Sequence, residues 1–477
     1  MTDLAAIGVL GSLLLACVAA GEGLRARGWA TESTRRVVHL GTGLTVAASP
    51  AWGPGPVYVL AVAFWVATAI VFALGWGPAM RGIRRRWVGT VAFPLALLVA
   101  LALCWTLDPG RVFALQIAFA VLALADPAAS LGRRWSRGGA GGAGGASVAG
   151  SSAFALVAFV VAASGVLLVG PWGWGASLGA ALVVAALATV AEALARDGWD
   201  NLWVGVAVTV ALAALDAGAS VGGAVAAVGL AVAFGGWAWR VGALQPSGAL
   251  AGGGFAWMLV ALGGADWIVP GLAFFVLSSA LSRLGRARKA AAQQGDQKGS
   301  RRDAGQVFAN GGAAALALAA TVFAPEPWLY GAFVGALAAA AADTWATEIG
   351  TWVGGPTRWL GVGSRVAPGR SGGMSVAGTV GGVLGATSVV LAAAAVGDLD
   401  ARLAVGLIGA ASAGAFTDSV LGATLQARYR QGDRWSERPL GREAPAHGWA
   451  WLDNDGVNWA CTTVGALGGA WVWAVGS

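Results

Sequence analysis

The sequence predicts an all-α, polytopic integral membrane protein: a helical bundle of about sixteen transmembrane helices in two related halves. Three observations carry the prediction. Hydrophobic residues make up 57% of the chain and charged residues 11%, where soluble domains carry about 25% charge. Mean hydropathy is +0.70, and apolar runs of about 16 to 22 residues, near the length that spans a bilayer, recur from end to end. A costly arrangement of acidic residues on apolar segments also occurs twice in the same order.

The runs fall at 4–21, 36–50, 56–75, 88–107, 112–131, 149–169, 174–194, 201–216, 219–239, 246–263, 267–284, 306–323, 328–350, 375–397, 402–424 and 456–475. The short runs 36–50 and 201–216 fit tilted or re-entrant segments. Residues 1–21 lack a basic leading segment and read as a first membrane helix, not a cleaved signal. All of these runs are too long and continuous for barrel strands, so only helices satisfy their backbone in lipid.

Basic residues cluster at 22–36, 81–87, 132–148, 283–302, 351–374 and 425–442. These are alternate loops of the sixteen-helix reading, and the opposite loops carry Arg111 and Arg402. The positive-inside rule makes the basic loops cytoplasmic, with both ends of this sequence on the other side. Arg84-Arg85-Arg86 reads as a topology anchor. The net charge of +7 follows from this bias and suits anionic lipid headgroups. It gives no argument for a nucleic-acid partner. Cys17, Cys104 and Cys461 lie within apolar runs, with neither disulfide nor metal spacing. The 76 glycines suit close helix packing, and Trp29, Trp52, Trp76, Trp87, Trp172 and Trp328 sit at run ends, as interfacial belts require. Ser136 to Ala146, nearly all glycine and alanine, reads as a flexible connector, and 285–304 as a cytoplasmic excursion.

The duplication divides the chain into residues 1–232 and 233–477. The first copy reads Ala125-Asp126-Pro127, then Gly132-Arg133-Arg134, then Ser147-Val148-Ala149-Gly150-Ser151. The second reads Ala342-Asp343-Thr344, then Gly350, then Ser375-Val376-Ala377-Gly378-Thr379. Asp200-Asn201 follows the first, and Asp453-Asn454-Asp455 the second. Asp126 to Ser147 spans 21 residues and Asp343 to Ser375 spans 32, a difference that loop insertions explain. Glu192, Asp197 and Asp200 gather at one cytoplasmic end, and Asp418, Asp453 and Asp455 at another.

Each half therefore offers carboxylates, an Asn, a hydroxyl-bearing Gly loop and arginines on one side of the membrane. Phosphoryl transfer from a nucleotide needs this set. Mg²⁺ takes hard oxygen ligands and bridges phosphates, which makes Asp126, Asp200, Asp343, Asp418, Asp453 and Asp455 the candidate metal ligands. Backbone amides at a Gly-rich helix start hold phosphate oxygens. The candidates are Gly132, Ser147, Gly150 and Ser151 in the first half, and Gly350, Gly372, Gly373, Ser375, Gly378 and Thr379 in the second. Arg133 and Arg134 would neutralise phosphate charge, and Asn201 and Asn310 would complete the nucleotide contacts. Asp126, Glu192, Asp200, Asp343 and Asp418 are the candidate catalytic residues, with Glu192 the candidate base. No G-x-x-x-x-G-K-[ST] sequence occurs, which excludes a P-loop enzyme. His39 fits a satisfied interfacial residue as well as a site residue, and His447 has no assigned part.

At these residues the chain resembles two families joined head to tail. The first half resembles the phytol kinase and dolichol kinase group, distantly related to CDP-diacylglycerol synthase, through Arg35-Arg36-Val37-Val38-His39-Leu40 with Gly43, Ala125-Asp126 to Arg134, Ser147 to Ser151, and Glu192 through Asn201. The second resembles the phytyl-phosphate kinase family over most of 240–477. Its fragments include Ser247-Gly248-Ala249, Phe274-Phe275, Ser278-Ser279, Arg302-Asp303, Gln306 to Gly312, and Asp343 to Gly350. Further on come Pro368-Gly369, Gly372-Gly373, Ser375, Asp418-Ser419, Leu421-Gly422-Ala423, Gln426, Asn454-Asp455 and Val457-Asn458. The resemblance implies a two-step enzyme, phosphorylating an isoprenoid alcohol of the phytol or geranylgeraniol type and then its monophosphate, with Mg²⁺ as cofactor and CTP as donor. Its partners are then the isoprenoid lipid, the nucleotide and membrane lipids. The first half departs from its family in carrying Gly144-Gly145-Ala146 where lysines are usual, and the second in carrying Arg370 where Thr is usual. Two other classes share parts of this chemistry. A cytidylyltransferase forming a CDP-lipid would use the same metal and phosphate groups. A lipid or solute transporter would place its site near the midplane, often in inverted repeats; here the repeats share one orientation.

Overall fold

The computed structural model describes residues 2–74, 88–136, 147–196, 198–284, 301–360, 363–366, 368, 370–431, 434–437 and 444–476. The Arg84–Arg86 anchor, Trp76, Trp87, nearly all of the Gly/Ala connector, Asp197 and most of the 285–304 excursion lie outside the described residues. The chain divides into two compact units, Met1–Val228 and Gly229–Ser477.

The first unit is built from α1 (Asp3–Ala26), α2 (Thr31–Ala48), α3 (Pro54–Leu74), α4 (Val88–Leu101, prolonged by a wider turn over Ala102–Leu107), α5 (Val112–Ser136), α6 (Val148–Val169), α7 (Trp174–Leu194) and α8 (Asp200–Asp216). The break between the units falls inside α9 (Val221–Arg240). In the second unit follow α10 (Pro246–Met258, widened over Leu259–Gly263), α11 (Ala265–Arg283), α12 (Ala304–Ala320), α13 (Trp328–Val353), α14 (Val376–Ala394), α15 (Ala401–Thr424) and α16 (Asn454–Gly476).

Among the described residues these are sixteen α-helices, one over each apolar run. Ten helices are long and apolar enough to cross a membrane: α1, α5, α6, α7, α9, α10, α11, α13, α14 and α15. Shorter apolar helices occupy Pro54–Ile70, Val91–Leu107 and Ala304–Ala320. Charge and length separate the others. The first turns of α2 hold Glu32, Arg35 and Arg36, and α8 has 17 residues.

Each unit has one central helix. In the first, α5 packs against α2, α4, α6 and α8. Ala114, Leu115, Ala118, Phe119, Val121, Ala123 and Ala125 of α5 are fully buried. In the second, α13 packs against α11, α12, α14, α15 and α16. Its stretch Phe333–Ala342 is buried throughout. Small residues let backbones approach where lipid supplies no hydrophobic drive between helices. A methyl group placed on Gly469 of α16 would lie 2.1 Å from the Gly331 carbonyl oxygen of α13, and one on Gly465 would lie 2.5 Å from that of Gly335.

The all-α expectation needs one correction. Among the described residues the loops of the second unit carry five short strands: β1 (Thr357–Trp359), β2 (Arg365–Val366), β3 (Gly373–Met374), β4 (Tyr429–Gln431) and β5 (Arg434–Ser436). They form a β2-β1-β3 sheet and a β4-β5 hairpin, both antiparallel. A two- or three-residue strand leaves no periodic signature in a sequence.

Candidate functional site

The duplicated motif has a duplicated geometry. Ser147 caps α6, its Oγ accepting from Gly150 N at 3.1 Å, and Ser375 caps α14, its Oγ accepting from Gly378 N at 3.1 Å. Ser151 N donates to Ser147 O at 2.8 Å and Thr379 N to Ser375 O at 2.9 Å. Both glycines press on the acidic helix. A methyl group on Gly150 would lie 3.1 Å from Ala129 O, and one on Gly378 2.9 Å from Ala346 O. Ala129 and Ala346 each stand three residues after the aspartate of their motif. Gly132 and Gly350 close the same contact from the other side, Gly132 against Ala149 O and Gly350 against Ser375 Oγ and Gly378 Cα. Part of the helix packing repeats as well: α2–α5, α5–α6, α6–α7, α7–α8 and α5–α8 correspond to α12–α13, α13–α14, α14–α15, α15–α16 and α13–α16, whereas α13–α15 and α12–α16 pack closely only in the second unit.

In the first unit the structure gathers Asp126, Glu192 and Asp200 within electrostatic range of one another, although they lie on α5, α7 and α8. Glu192 is nearly buried, and its Oε1 accepts from Arg133 Nη1 at 2.8 Å. Its Oε2 is buried without a hydrogen-bond partner. His39 Nε2 lies 3.9 Å from Asp126 Oδ2 and 3.0 Å from Leu122 O, which brings it to the acidic group. Arg36 donates to Ser130 at the end of α5 and interacts with both Asp126 and Arg134. Asn201 stands beside Asp200 but donates through Nδ2 to Gly89 O at 3.1 Å, tying α8 to the start of α4.

In the second unit Asp343 on α13 and Asp418 on α15 come within hydrogen-bonding distance of each other. Both side chains are half-buried. Buried Cys461 of α16 lies beside the pair and reaches Ala339 O, one turn before Asp343, at 3.7 Å. Asp455 lies against the start of α12, where a methyl on Gly305 would meet its Oδ2 at 2.7 Å. Asp453 is exposed and caps α16, its Oδ1 accepting from Gly456 N at 2.9 Å. Asn310 Nδ2 donates to Gln306 O within α12 at 2.8 Å. Among the described residues no group of three or more His, Cys, Asp or Glu side chains is placed to hold a metal ion. The pair Asp343–Asp418 is thus the acidic core, with Asp453 and Asn310 engaged locally.

The loop before α14 is clamped onto the end of α15. Gly372 has φ +77°, and a methyl there would lie 2.5 Å from Ala423 N, so the turn demands glycine. Arg428 Nη2 donates to Ser371 O at 2.6 Å and also to Gly422 O. Leu360 N donates to Gly372 O at 3.1 Å, and β1 pairs Trp359 opposite Gly373. Burial pushes the Arg428 pKa down, and the neighbouring Arg370 charge adds to that. Arg302, just before α12, is likewise lowered by burial and partly restored by Glu348. Arg428 was missed in the sequence because it lies in a basic loop that the topology rule already explains.

Residues 229–466 match the profile of the family described as integral membrane protein DUF92. The chain is also similar to an uncharacterized membrane protein, sll0875, of Synechocystis sp., at 30% identity over 223 residues, covering 45% of this chain and 78% of that protein. No solved structure matches the chain. A predominantly helical chain with ten helices long and apolar enough to cross a membrane among its described residues, matched over most of the length of that relative, belongs through residues 229–466 to the DUF92 family of integral membrane proteins.

Proposed function

We propose that the chain is a membrane-embedded, CTP- and Mg²⁺-dependent lipid phosphotransferase working in two steps. The first half phosphorylates an isoprenoid alcohol of the phytol or geranylgeraniol type, and the second phosphorylates the monophosphate to the diphosphate. The observation that carries this reading is the Asp343–Asp418 pair. Two carboxylates facing each other among apolar helices repel unless something positive stands between them. Mg²⁺ suits such a pair, because it is commonly held by one or two carboxylates plus substrate phosphates and water, without an all-protein cage. Bound there, it would neutralise charge on the transferring phosphoryl group.

This chain's own residues supply the rest. In the first half, transfer forms a bond from the alcohol oxygen to the γ-phosphorus, breaks the γ-phosphorus bond to the β-phosphate oxygen, and releases the hydroxyl proton. Glu192 Oε2, without a partner while Arg133 holds Oε1, is the acceptor we assign to that proton. Asp126 and Asp200, which interact electrostatically, would hold the metal of this half. The substrate of the second half is already an anion and needs no base. The N–H groups of Gly150, Ser151, Gly378 and Thr379 are taken up by their caps, so phosphate oxygens would meet the N–H groups just before them, at Val148 and Ala149 of α6 and at Val376 and Ala377 of α14. The reading includes sixteen membrane crossings with the acidic sets at the cytoplasmic ends, supported by the basic loops that adjoin them.

The test is incubation of membranes containing the protein with CTP labelled at the γ- or the α-phosphate, plus geranylgeraniol, phytol or their monophosphates. Label from the γ position is expected in isoprenyl mono- and diphosphate. Label passing from the α position would make the chain a cytidylyltransferase, and transfer of neither would end the phosphotransferase reading.

A further inference from the structure

We propose that Arg370, Arg428, Trp359, Gln426 and His447 form a phosphate-binding basin at the loop end of the second unit, built to receive a phosphate or diphosphate group. The inference deepens the phosphotransferase reading, but its geometry stands apart from Asp343 and Asp418. The guanidinium carbons of Arg370 and Arg428 lie 5.3 and 5.5 Å from the centre of the Trp359 ring. The His447 ring stands edge-on to the same tryptophan, 6.4 Å between centres. Arg428 is 4% exposed and is fixed by Ser371 O and Gly422 O. Its backbone is fixed too, with Arg428 N donating to His447 O at 2.9 Å.

Around this point the structure leaves buried side-chain nitrogens unpaired. Gln426 is fully buried and hydrogen-bonds Ser371 Oγ through Oε1, and its Nε2 is buried without a partner. Trp359 Nε1 and His447 Nε2 are also buried without partners. Buried polar atoms are nearly always paired, so three unpaired nitrogens around two neighbouring guanidiniums need an explanation. A phosphate group supplies what is missing. It brings negative charge for the two arginines and several acceptor oxygens for the N–H groups, and arginine's fork of donors fits it. Glu437 offsets part of the repulsion between Arg370 and Arg428, and an anionic ligand would offset the rest, which a neutral one would not.

The basin also stands where the proposed reaction needs it. Gly422, which accepts from Arg428, is four residues beyond Asp418 on α15, about 6 Å along the helix. Glu437 interacts with both Asp418 and Arg428. Trp359 lies opposite Gly373, two residues before the Ser375 cap of α14. The phosphate can belong to the nucleotide or to an isoprenyl monophosphate, since both present the same dianionic group.

The experiment uses the full chain, purified in detergent with EDTA present so that no divalent cation contributes. Inorganic pyrophosphate is titrated by calorimetry against wild type, Arg370→Gln and Asp343→Asn, with thermal unfolding of each. Arg428 ties two backbone carbonyls, so its substitution risks misfolding, and Arg370→Gln is the deciding variant. Saturable binding is expected in wild type, weakened about tenfold or more in Arg370→Gln at an unchanged unfolding midpoint, and retained in Asp343→Asn. Displacement of pyrophosphate by CTP would assign the basin to the nucleotide, and displacement by geranylgeranyl monophosphate to the lipid substrate. Absence of saturable binding, equal affinity in Arg370→Gln, or loss of binding in Asp343→Asn would overturn the proposal. Binding as expected without γ-phosphate transfer to any lipid would leave the basin standing and remove the phosphotransferase reading.

Discussion

Replacing Asp343 by Asn should make the metal-free protein more stable and the enzyme nearly inactive. The two side chains have the same shape, so packing around α13 is preserved. What changes is charge. Asp343 and Asp418 stand within hydrogen-bonding distance, and two unit charges about 4 Å apart repel by about 4 kcal/mol at an effective dielectric of about 20. That figure is an upper bound, because any proton or cation between the carboxyls already offsets part of it. The amide can instead donate to Asp418, replacing the bond that a shared proton makes in the wild type. The expected net gain in EDTA is therefore about 0–4 kcal/mol. In exchange the variant loses a metal-binding carboxylate. Transfer onto isoprenyl monophosphate should fall on the order of 10²-fold, about 2.7 kcal/mol of transition-state stabilisation. The assay is thermal unfolding in detergent, with EDTA or with Mg²⁺, beside transfer of γ-label from CTP. Mg²⁺ should raise the wild-type midpoint by more than the variant's, because the variant keeps only the Asp126–Asp200 pair of the first half. A variant that is less stable than wild type in EDTA and keeps its activity would refute the reasoning and make the pair a structural hydrogen bond.

The other predictions test separate parts of the account. Asp126→Asn should abolish alcohol phosphorylation and leave monophosphate phosphorylation intact, whereas Asp343→Asn should accumulate monophosphate; equal loss of both steps in either folded variant would remove the two-site scheme. Gly469→Ala should destabilise the second unit by roughly 1–3 kcal/mol through overpacking, since the new methyl would lie 2.1 Å from Gly331 O; an unchanged unfolding midpoint would show that α13 and α16 approach less closely. Arg111 is 9% exposed and its Nε lies 3.1 Å from Asp216 Oδ2 and 3.2 Å from Asp108 Oδ2. Because those carboxylates are partly exposed, Arg111→Gln should cost only about 1 kcal/mol, lower thermal stability and spare both activities; a loss of catalysis at full stability would contradict a purely structural role. Cysteines introduced at Arg133, Arg301 and Arg434 should resist an impermeant thiol reagent applied from outside; strong labelling at all three would invert the topology.

The positions of the helices were legible in the sequence because hydropathy and length are local properties. Each apolar run became a helix, and breaks such as Gly53 and Gly264 are visible as residue types. The duplicated motif was legible for the same reason: Asp126 with Ser147-x-x-Gly150 and Asp343 with Ser375-x-x-Gly378 are short strings whose caps form from neighbouring atoms. How many of these helices cross the membrane was less legible, because charge near an end and shortness weaken the same signal in α2 and α8.

What only the tertiary structure decided is which helix ends meet. The choice of Asp418 as the partner of Asp343, with Asp453 left to cap α16, depends on how closely α13, α15 and α16 approach through their glycines and alanines. The ion pair of Arg133 with Glu192 links α5 to α7 across the first unit. Arg428 looked like one more topology charge until Gly372, Gly422 and the short β1–β3 sheet folded the loop around it. Hydropathy records whether a residue prefers lipid or water. It carries no record of which distant backbone lies close enough to share a carboxylate, a donor or a carbonyl, and that was set by the packing of small residues.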